Sequence, residues 1–263
     1  MKRIFEVINE LEKSRTSFAI CTIIDSKGST PRSAGSKMVV TIDGRSYGTI
    51  GGGDVELRAR EYAEDAIKTR VSNILSYNMV DPEKGDPGIC GGSVQVFIEP
   101  VNPFQQAVII GSGHVGKAVA FLAKWLGFYV TMVDDRDQEI SDEFAKCIDK
   151  NIITDLDEIT ENLSIDADTV VIITTRDHEI DVKILPKILQ TPTAYIGVIG
   201  SRRRWKITKE RLLASGVTAD EILRVFSPIG LDLGAQTPEE IAVCILSEVM
   251  KTINKKTGES LRS

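Results

Sequence analysis

The chain has 263 residues, of which 42% are hydrophobic and 27% charged, and its formal net charge is -6. This composition is that of a folded globular protein, and the length suits two domains of about 100 to 150 residues each. The acidic balance argues against nucleic acid as a main partner, because phosphate binding needs a concentrated basic surface. No apolar run reaches the roughly 18 residues of a membrane span, so we expect a cytoplasmic protein.

The first hundred residues predict a small α+β domain with a largely antiparallel sheet. MKRIFEVINELEK carries charges among its apolar positions, which indicates an amphipathic helix rather than a signal peptide. SFAICTII and SKMVVTI are typical of strands, and Asp43-Gly44 predicts a hairpin into RSYGTI. A helix from Asp54 and two further strands, VSNILSYNM and SVQVFIEPV, complete the domain. We place this first domain at 1–101 and a linker at 102–106.

Three consecutive glycines, Gly51, Gly52 and Gly53, stand directly before the predicted helix in GTIGGGDVE. Glycine loses more backbone entropy on folding than any other residue, so three in a row need a physical reason. Either the backbone adopts positive φ there or another group must come very close. Asp54, the next residue, suits the N-cap of the helix.

The four cysteines are too widely separated for a zinc site, and a structural disulfide is not expected. Cys21 and Cys244 lie in apolar runs typical of the core. Cys90, in the loop GICGG, is the candidate functional thiol, since Gly91 and Gly92 leave it accessible. We predict no bound metal ion held by the chain itself.

From residue 107 to 263 the pattern predicts an α/β domain with a doubly wound parallel sheet. GSGHVG follows an apolar strand and opens a helix, which places Gly111, Gly113 and Gly116 in a GxGxxG motif. Asp134 ends the next strand, at the spacing expected of an acid that binds a ribose. The motif therefore predicts nucleotide binding, with His114 as a further contact, although a tight turn kept only for packing is the alternative.

Other candidate binding residues follow later strands of this domain. His178 comes after TVVIITT, and Ser201, Arg202, Arg203 and Arg204 come after AYIGVIG, where guanidinium groups would suit an anion. A solvated helix start is the alternative for the arginines. The glycine-rich stretch from Pro228 to Gly234, which includes Gly230, is expected to line the same crevice. TPEE at 237–240 predicts a capped helix start.

The motifs GSTPRSAGSKMVV, GTIGGGDVE, GICGG, GSGHVG, VDDR, TRDHEID, YIGVIGSRRR and PIGLDLGAQTPEEIAVCI together resemble the XdhC/CoxI family. The resemblance covers residues 14 to 250. It implies an XdhC/CoxI domain followed by a Rossmann domain, and a maturation factor that binds the molybdenum cofactor and helps its sulfuration or insertion into an apo molybdenum hydroxylase of the xanthine dehydrogenase type. A cysteine desulfurase is the implied second partner, and a homodimer is the default assembly.

The resemblance implies that the glycine loops of both domains contact a phosphate-bearing pterin ligand, with Pro31 and Arg32 at the rim. One position departs from the family, which usually has cysteine where this chain has Asp54. A carboxylate cannot transfer sulfur as a thiolate can. Two other functions stay open, an NAD(P)-dependent oxidoreductase and a nucleotide-sensing module, although a chaperone is favoured over an enzyme.

Overall fold

The structure, a computed structural model, describes residues 3–78, 92–102, 105–137, 141–155 and 158–262. It contains two compact units, Met1–Pro103 and Phe104–Ser263. Among the helices of the described residues, none is both long and apolar enough to cross a membrane.

Over its described residues, the first unit is an antiparallel sheet with two helices. Its elements are α1 (Ile4–Lys13), β1 (Phe18–Lys27), β2 (Lys37–Thr41), β3 (Ser46–Gly48), α2 (Gly53–Thr69), β4 (Asn73–Asn78) and β5 (Ser93–Val101). The strands lie in the order β3-β2-β1-β5-β4, and every neighbouring pair is antiparallel. The α+β architecture predicted for this part of the chain is confirmed.

Alternation along β1 explains how this unit builds two apolar layers. Successive side chains of a strand point to opposite faces. Ala19 and Cys21 are buried in a cluster with the apolar face of α2, whereas Phe18 is buried in a second cluster with Val7 and Leu11 of α1. The sheet therefore has α2 on one face and α1 on the other.

The second unit is a parallel sheet flanked by helices. Its elements are β6 (Gln106–Ile110), α3 (His114–Trp125), β7 (Tyr129–Asp134), α4 (Asp142–Ala145), β8 (Lys150–Ile153), β9 (Thr169–Ile173), α5 (His178–Leu189), β10 (Tyr195–Val198), α6 (Arg202–Ala214), α7 (Ala219–Ile222), β11 (Val225–Phe226) and α8 (Pro238–Ile253). All five residues of β6 and of β9 are buried, as expected of central strands covered on both faces.

The strand order β11-β10-β9-β6-β7-β8 fixes where a ligand can bind. The chain moves outward from β6 through β7 to β8, then returns to the other side of β6 with β9. Ligands of open α/β sheets bind beyond the carboxyl ends of the strands where this reversal occurs. The switch point lies between β6 and β9, and β6 is the strand that GSGHVG follows.

Candidate functional site

A cavity of about 370 Å³ lies at the switch point of the second unit. It is formed by the segments that follow four neighbouring strands, β6, β7, β9 and β10, together with one side chain from α6. The lining residues are Ile110, Gly111, Gly113, His114, Val115, Asp134, Asp135, Arg136, Thr174, Thr175, Arg176, Ile180, Ile199, Gly200 and Arg204. Its volume lies in the range of small-molecule sites.

The three glycines of GSGHVG have different physical roles. A Cβ on Gly116 would lie 2.0 Å from the carbonyl oxygen of Gly111, and a Cβ on Gly111, at φ +109°, would lie 2.7 Å from the carbonyl oxygen of Thr174. These two glycines permit the close packing of helix on strand. Gly113, the N-cap of α3, has φ -67°, and no atom lies within 4 Å of the position of its Cβ. The space beside Gly113 is therefore part of the cavity. His114, the first residue of α3, also lines it.

Asp134 lines the cavity, but its carboxylate is hydrogen-bonded within the protein. Oδ2 accepts from the backbone N and the Oγ of Ser112, both at 2.7 Å, and Oδ1 accepts from the backbone N of Arg136 at 3.1 Å and from its Nε at 3.0 Å. Burial alone would raise the pKa of this carboxyl. The hydrogen bonds from Arg136 and Ser112 outweigh burial and hold the pKa well below its usual range. Asp134 is thus an ionised group that joins the glycine loop to the end of β7.

Two ion pairs made by arginines of the lining were not predicted from the sequence. Arg176 donates from Nη1 and Nη2 to the two carboxylate oxygens of Asp135, each at 2.8 Å, which links the ends of β7 and β9. Arg204 donates to the fully buried Asp181 from Nη2 at 2.6 Å and from Nε at 3.1 Å. The signal in the sequence was the run of three arginines at 202–204, of which the third turns toward the sheet.

Besides Gly116, five residues of the second unit that were predicted to bind the ligand do not line this cavity. His178 lies at the start of α5, with Nδ1 2.9 Å from Asp177 and Nε2 3.4 Å from Glu179. Ser201 is the N-cap of α6, where its Oγ accepts from the backbone N of Arg204 at 3.1 Å. The remaining three are Arg202, Arg203 and Gly230, of which the two arginines are exposed.

The glycine-rich stretch around Gly230 has a packing role. The backbone N of Gly230 donates to Oε2 of Glu248 at 2.9 Å, and a Cβ at this position, with φ +100°, would lie 3.2 Å from Cys244. Ile229 donates from its backbone N to the carbonyl of Val198 at 3.1 Å. These contacts fix the connection to α8, and no residue from 228 to 234 lines the cavity.

In the first unit, the three glycines at the start of α2 adopt positive φ, at +132° for Gly51, +79° for Gly52 and +66° for Gly53. Pro31 also packs closely against Gly51, where a Cβ would lie 3.2 Å from Cβ of Pro31. Oε1 of Glu56 accepts from the backbone N of Gly52 at 2.9 Å and of Ile50 at 3.0 Å. The anion that this loop holds is therefore a carboxylate of its own chain.

The structure describes three further predicted residues of the first unit, Asp54, Arg32 and Gly92. Asp54 is the second residue of α2 rather than its N-cap, which is Gly52, and its carboxylate accepts from Nε of Arg58 at 2.7 Å. Arg32 is exposed. A Cβ on Gly92 would lie 2.4 Å from the carbonyl oxygen of Ser29, so this glycine permits close packing of two backbone segments. Cys90 and Gly91 lie outside the described residues.

The three cysteines that the structure describes are buried. Burial raises the pKa of the Cys21 thiol to about 12, and Sγ of Cys147 lies 3.6 Å from the carbonyl oxygen of Glu143. The core positions predicted for Cys21 and Cys244 are confirmed. In the parts of the chain that the structure describes, no group of three or more His, Cys, Asp or Glu side chains could hold a metal ion.

Comparison with known families matches both units. Residues 107–249 match the XdhC Rossmann domain, and residues 11–78 match the XdhC and CoxI family. Among solved structures, one described as a xanthine dehydrogenase from Bacillus halodurans is 22% identical, covers 97% of both chains and gives a TM-score of 0.52. At that identity the likeness supports the fold alone.

Three curated relatives are similar to the chain. YqeB of Escherichia coli is 34% identical over 97% of this chain and 47% of its own length. A Bacillus subtilis protein named as a probable xanthine dehydrogenase subunit is 26% identical over 61% of this chain and 46% of its own length. The E. coli molybdenum cofactor insertion chaperone PaoD is 25% identical over 88% of this chain and 81% of its own length. The chain thus spans about half the length of the first two relatives.

Proposed function

This chain belongs to the XdhC and CoxI family, and on that basis we propose that it is an accessory protein for a molybdenum hydroxylase of the xanthine dehydrogenase type. In this role it binds the molybdenum cofactor and assists its insertion into the apoenzyme. The observation that carries the proposal is the switch-point cavity with open space beside Gly113. The names of PaoD and the B. subtilis protein support the choice of cofactor and client.

The cavity fits the phosphate-bearing part of such a cofactor. The N-terminus of the 12-residue helix α3 points its first-turn amides and partial positive charge at this space. Each arginine of the lining is already paired with a carboxylate, Arg136 with Asp134, Arg176 with Asp135 and Arg204 with Asp181. These pairs are neutral, so backbone amides and the helix dipole provide the main attraction for an anion. His114 stands beside them as an additional donor.

The glycine loop of the first unit does not fit an anionic ligand in this form, since Glu56 accepts hydrogen bonds from the amides of Ile50 and Gly52. The same unit has Asp54 where the family usually has cysteine, and its described thiol, Cys21, is buried. We therefore propose that the chain holds and delivers the cofactor without carrying sulfur on these residues. The bound cofactor supplies its molybdenum centre to the client enzyme. Sulfuration through Cys90 with a cysteine desulfurase, and a homodimeric state, remain predictions.

A nucleotide-binding function without the pterin is the second candidate, because the cavity has the location and glycine loop of a dinucleotide site. Titration of the purified chain with NADH and NADPH distinguishes the two. Turnover of a carbonyl substrate with either would favour an oxidoreductase. Binding without turnover and without recovered pterin would favour a sensing module.

The decisive experiment is expression in a host that makes molybdopterin, followed by purification and oxidation of the released pterin to its fluorescent form. We expect pterin fluorescence above that of an unrelated protein purified in parallel. In Gly113→Val, the new side chain enters the open space at ordinary φ, so pterin recovery should fall at least about tenfold, while valine at this N-cap should cost only about 1 kcal/mol of stability. Ala219→Val, an exposed change at the start of α7, is the matched control. Equal recovery from Gly113→Val and wild type would contradict the assigned site.

A further inference from the structure

In this chain, the acid that usually contacts the ribose already accepts hydrogen bonds from groups of the protein. In nucleotide-binding domains of this topology, an acid at the end of the second strand accepts hydrogen bonds from ribose hydroxyls. Asp134 holds that position, yet it accepts from two donors of Ser112 and three of Arg136, the last being Nη2 at 3.3 Å. A carboxylate offers about four lone-pair positions. Its side chain is also only 7% exposed, so a ribose could bind there only by displacing the loop.

Asp135, the next residue, can still accept a hydrogen bond from a ligand, as Asp134 cannot. Asp135 lines the same cavity, and its side chain is 28% exposed. Its two oxygens accept one hydrogen bond each from Arg176, and Nε of Arg136 lies 3.6 Å away. The Asp135 side chain also contacts that of Asp134, so by the same count about one lone-pair position stays open. The bidentate contact with Arg176 also fixes the orientation of this carboxylate, which prepares it to accept from a ribose hydroxyl.

We infer that Asp134 is a positioning residue that holds the glycine loop through Ser112, and that Asp135 is the residue that binds the ribose hydroxyls of a nucleotide ligand. The inference rests on the proposed function only in taking the switch-point cavity as the site of a phosphate-bearing ligand. It narrows the ligand to a phosphate ester that carries a ribose with a free 2′-hydroxyl, such as a nucleotide-linked form of the pterin.

The two acids should therefore affect binding in different ways. Without Asp134, the loop loses the acceptor that orders the amide of Ser112, so phosphate binding weakens for any sugar. Without Asp135, the phosphate site stays in place and the acceptor for the 2′-hydroxyl is lost. The ratio of affinities for a ribonucleotide and its 2′-deoxy analogue separates these effects, because a general structural loss would not change that ratio.

The test is calorimetric titration of the full chain with ADP and with 2′-deoxy-ADP. Wild type should prefer ADP by at least about tenfold, the value of one hydrogen bond to a charged group. Asp135→Ala should reduce the preference to within about twofold, whereas Asp134→Ala should weaken both ligands by a similar factor and keep the ratio. Three results would overturn the assignment of the ribose to Asp135. The preference for ADP could be lost in Asp134→Ala alone, it could stay unchanged in Asp135→Ala, or wild type could bind neither probe.

A measurement without ligand tests the positioning role separately from the proposed function. In the ligand-free chain, Asp134→Ala should speed hydrogen exchange of the Ser112 amide at least about tenfold, and Asp135→Ala should leave it within about twofold. Equal exchange in Asp134→Ala and wild type would overturn the positioning role. If Asp134→Ala does not fold, Asp134→Asn keeps one oxygen for Ser112 and should retain the ADP preference. These results hold or fail whether or not pterin is recovered from the purified chain.

Discussion

Replacing Glu56 by alanine removes the carboxylate on which the glycine loop of the first unit depends. Oε1 of Glu56 accepts from the backbone N of Ile50 at 3.0 Å, from the backbone N of Gly52 at 2.9 Å and from the hydroxyl of Thr49. These contacts join the end of β3 to the first turn of α2. Their loss leaves two backbone donors, at a part-buried site, without the acceptor that they use in the folded loop.

The expected loss of stability follows from this count. A hydrogen bond to a charged group contributes about 1.5 to 3 kcal/mol, and three that share one oxygen are not additive. Because Glu56 is partly exposed, solvent screening reduces the sum, and we expect Glu56→Ala to lower the free energy of unfolding by about 2 to 4 kcal/mol. Glu56→Gln is the matched control. Its Oε1 can accept from the same three donors without the charge, so its cost should be about 1 kcal/mol.

The assay is urea unfolding followed by far-UV circular dichroism, with hydrogen exchange at the amides of Ile50 and Gly52 as the local readout. The pKa of Glu56 would be raised by burial, but hydrogen bonds from Thr49 and Gly52 bring it below its usual value. A carboxylate with a lowered folded pKa stabilises fully above its unfolded pKa, near 4.3, and loses this contribution as the pH falls through the folded pKa. The gap between wild type and Glu56→Ala should therefore narrow in acid. Equal costs for the alanine and glutamine variants, or unchanged exchange at both amides, would refute the reasoning.

Three further predictions concern single contacts. Gly116→Ala places a Cβ 2.0 Å from the carbonyl oxygen of Gly111. Thermal unfolding should therefore show that the free energy of unfolding falls by at least about 2 kcal/mol. An unchanged melting temperature would contradict this packing. Arg204→Ala should cost about 3 to 5 kcal/mol in urea at pH 8, because it leaves the buried Asp181 carboxylate without its cation. Burial raises the pKa of Asp181, although the hydrogen bonds of the site oppose this shift. Protonation of Asp181 should therefore make the cost of Arg204→Ala smaller at pH 5. A larger cost at pH 5 would contradict the ion pair between Arg204 and Asp181. Since burial raises the pKa of Cys21 to about 12, iodoacetamide should label this thiol only after unfolding, as peptide mass spectrometry can show; rapid labelling of the native chain would be inconsistent with its buried position.

Local sequence patterns were sufficient to predict the architecture of both units. The period-two runs and the helical spacing from Asp54 predicted the α+β part, and the apolar runs around GSGHVG predicted the parallel sheet. Fold class depends on which residues are apolar and how often they recur, and the sequence displays this directly. The same local logic identified Gly111, Gly113 and His114 in the lining, because a glycine loop between a strand and a helix always lies at the carboxyl edge of the sheet.

The assignment of Asp54 as N-cap shows where local reasoning fails. The sequence pattern was right that a helix starts near these glycines, but the N-cap is Gly52 and the helix begins two residues earlier than expected. Helix termini are the least certain part of a pattern-based prediction. The tertiary contact of Gly51 with Pro31 and the hydrogen bonds to Glu56 set the path of this loop.

By itself the sequence determined the two kinds of sheet, the position of the glycine loops and the edge at which a ligand can bind. Only the tertiary structure decided which polar groups remain available there. Asp134 meets Ser112 across 22 positions, and Arg176 meets Asp135 across 41. Such pairs depend on how the strands are ordered in the sheet. Hydrogen bonds between distant residues thus separate the acid that holds the loop from the acid that can still accept a ligand, and no local pattern records that difference.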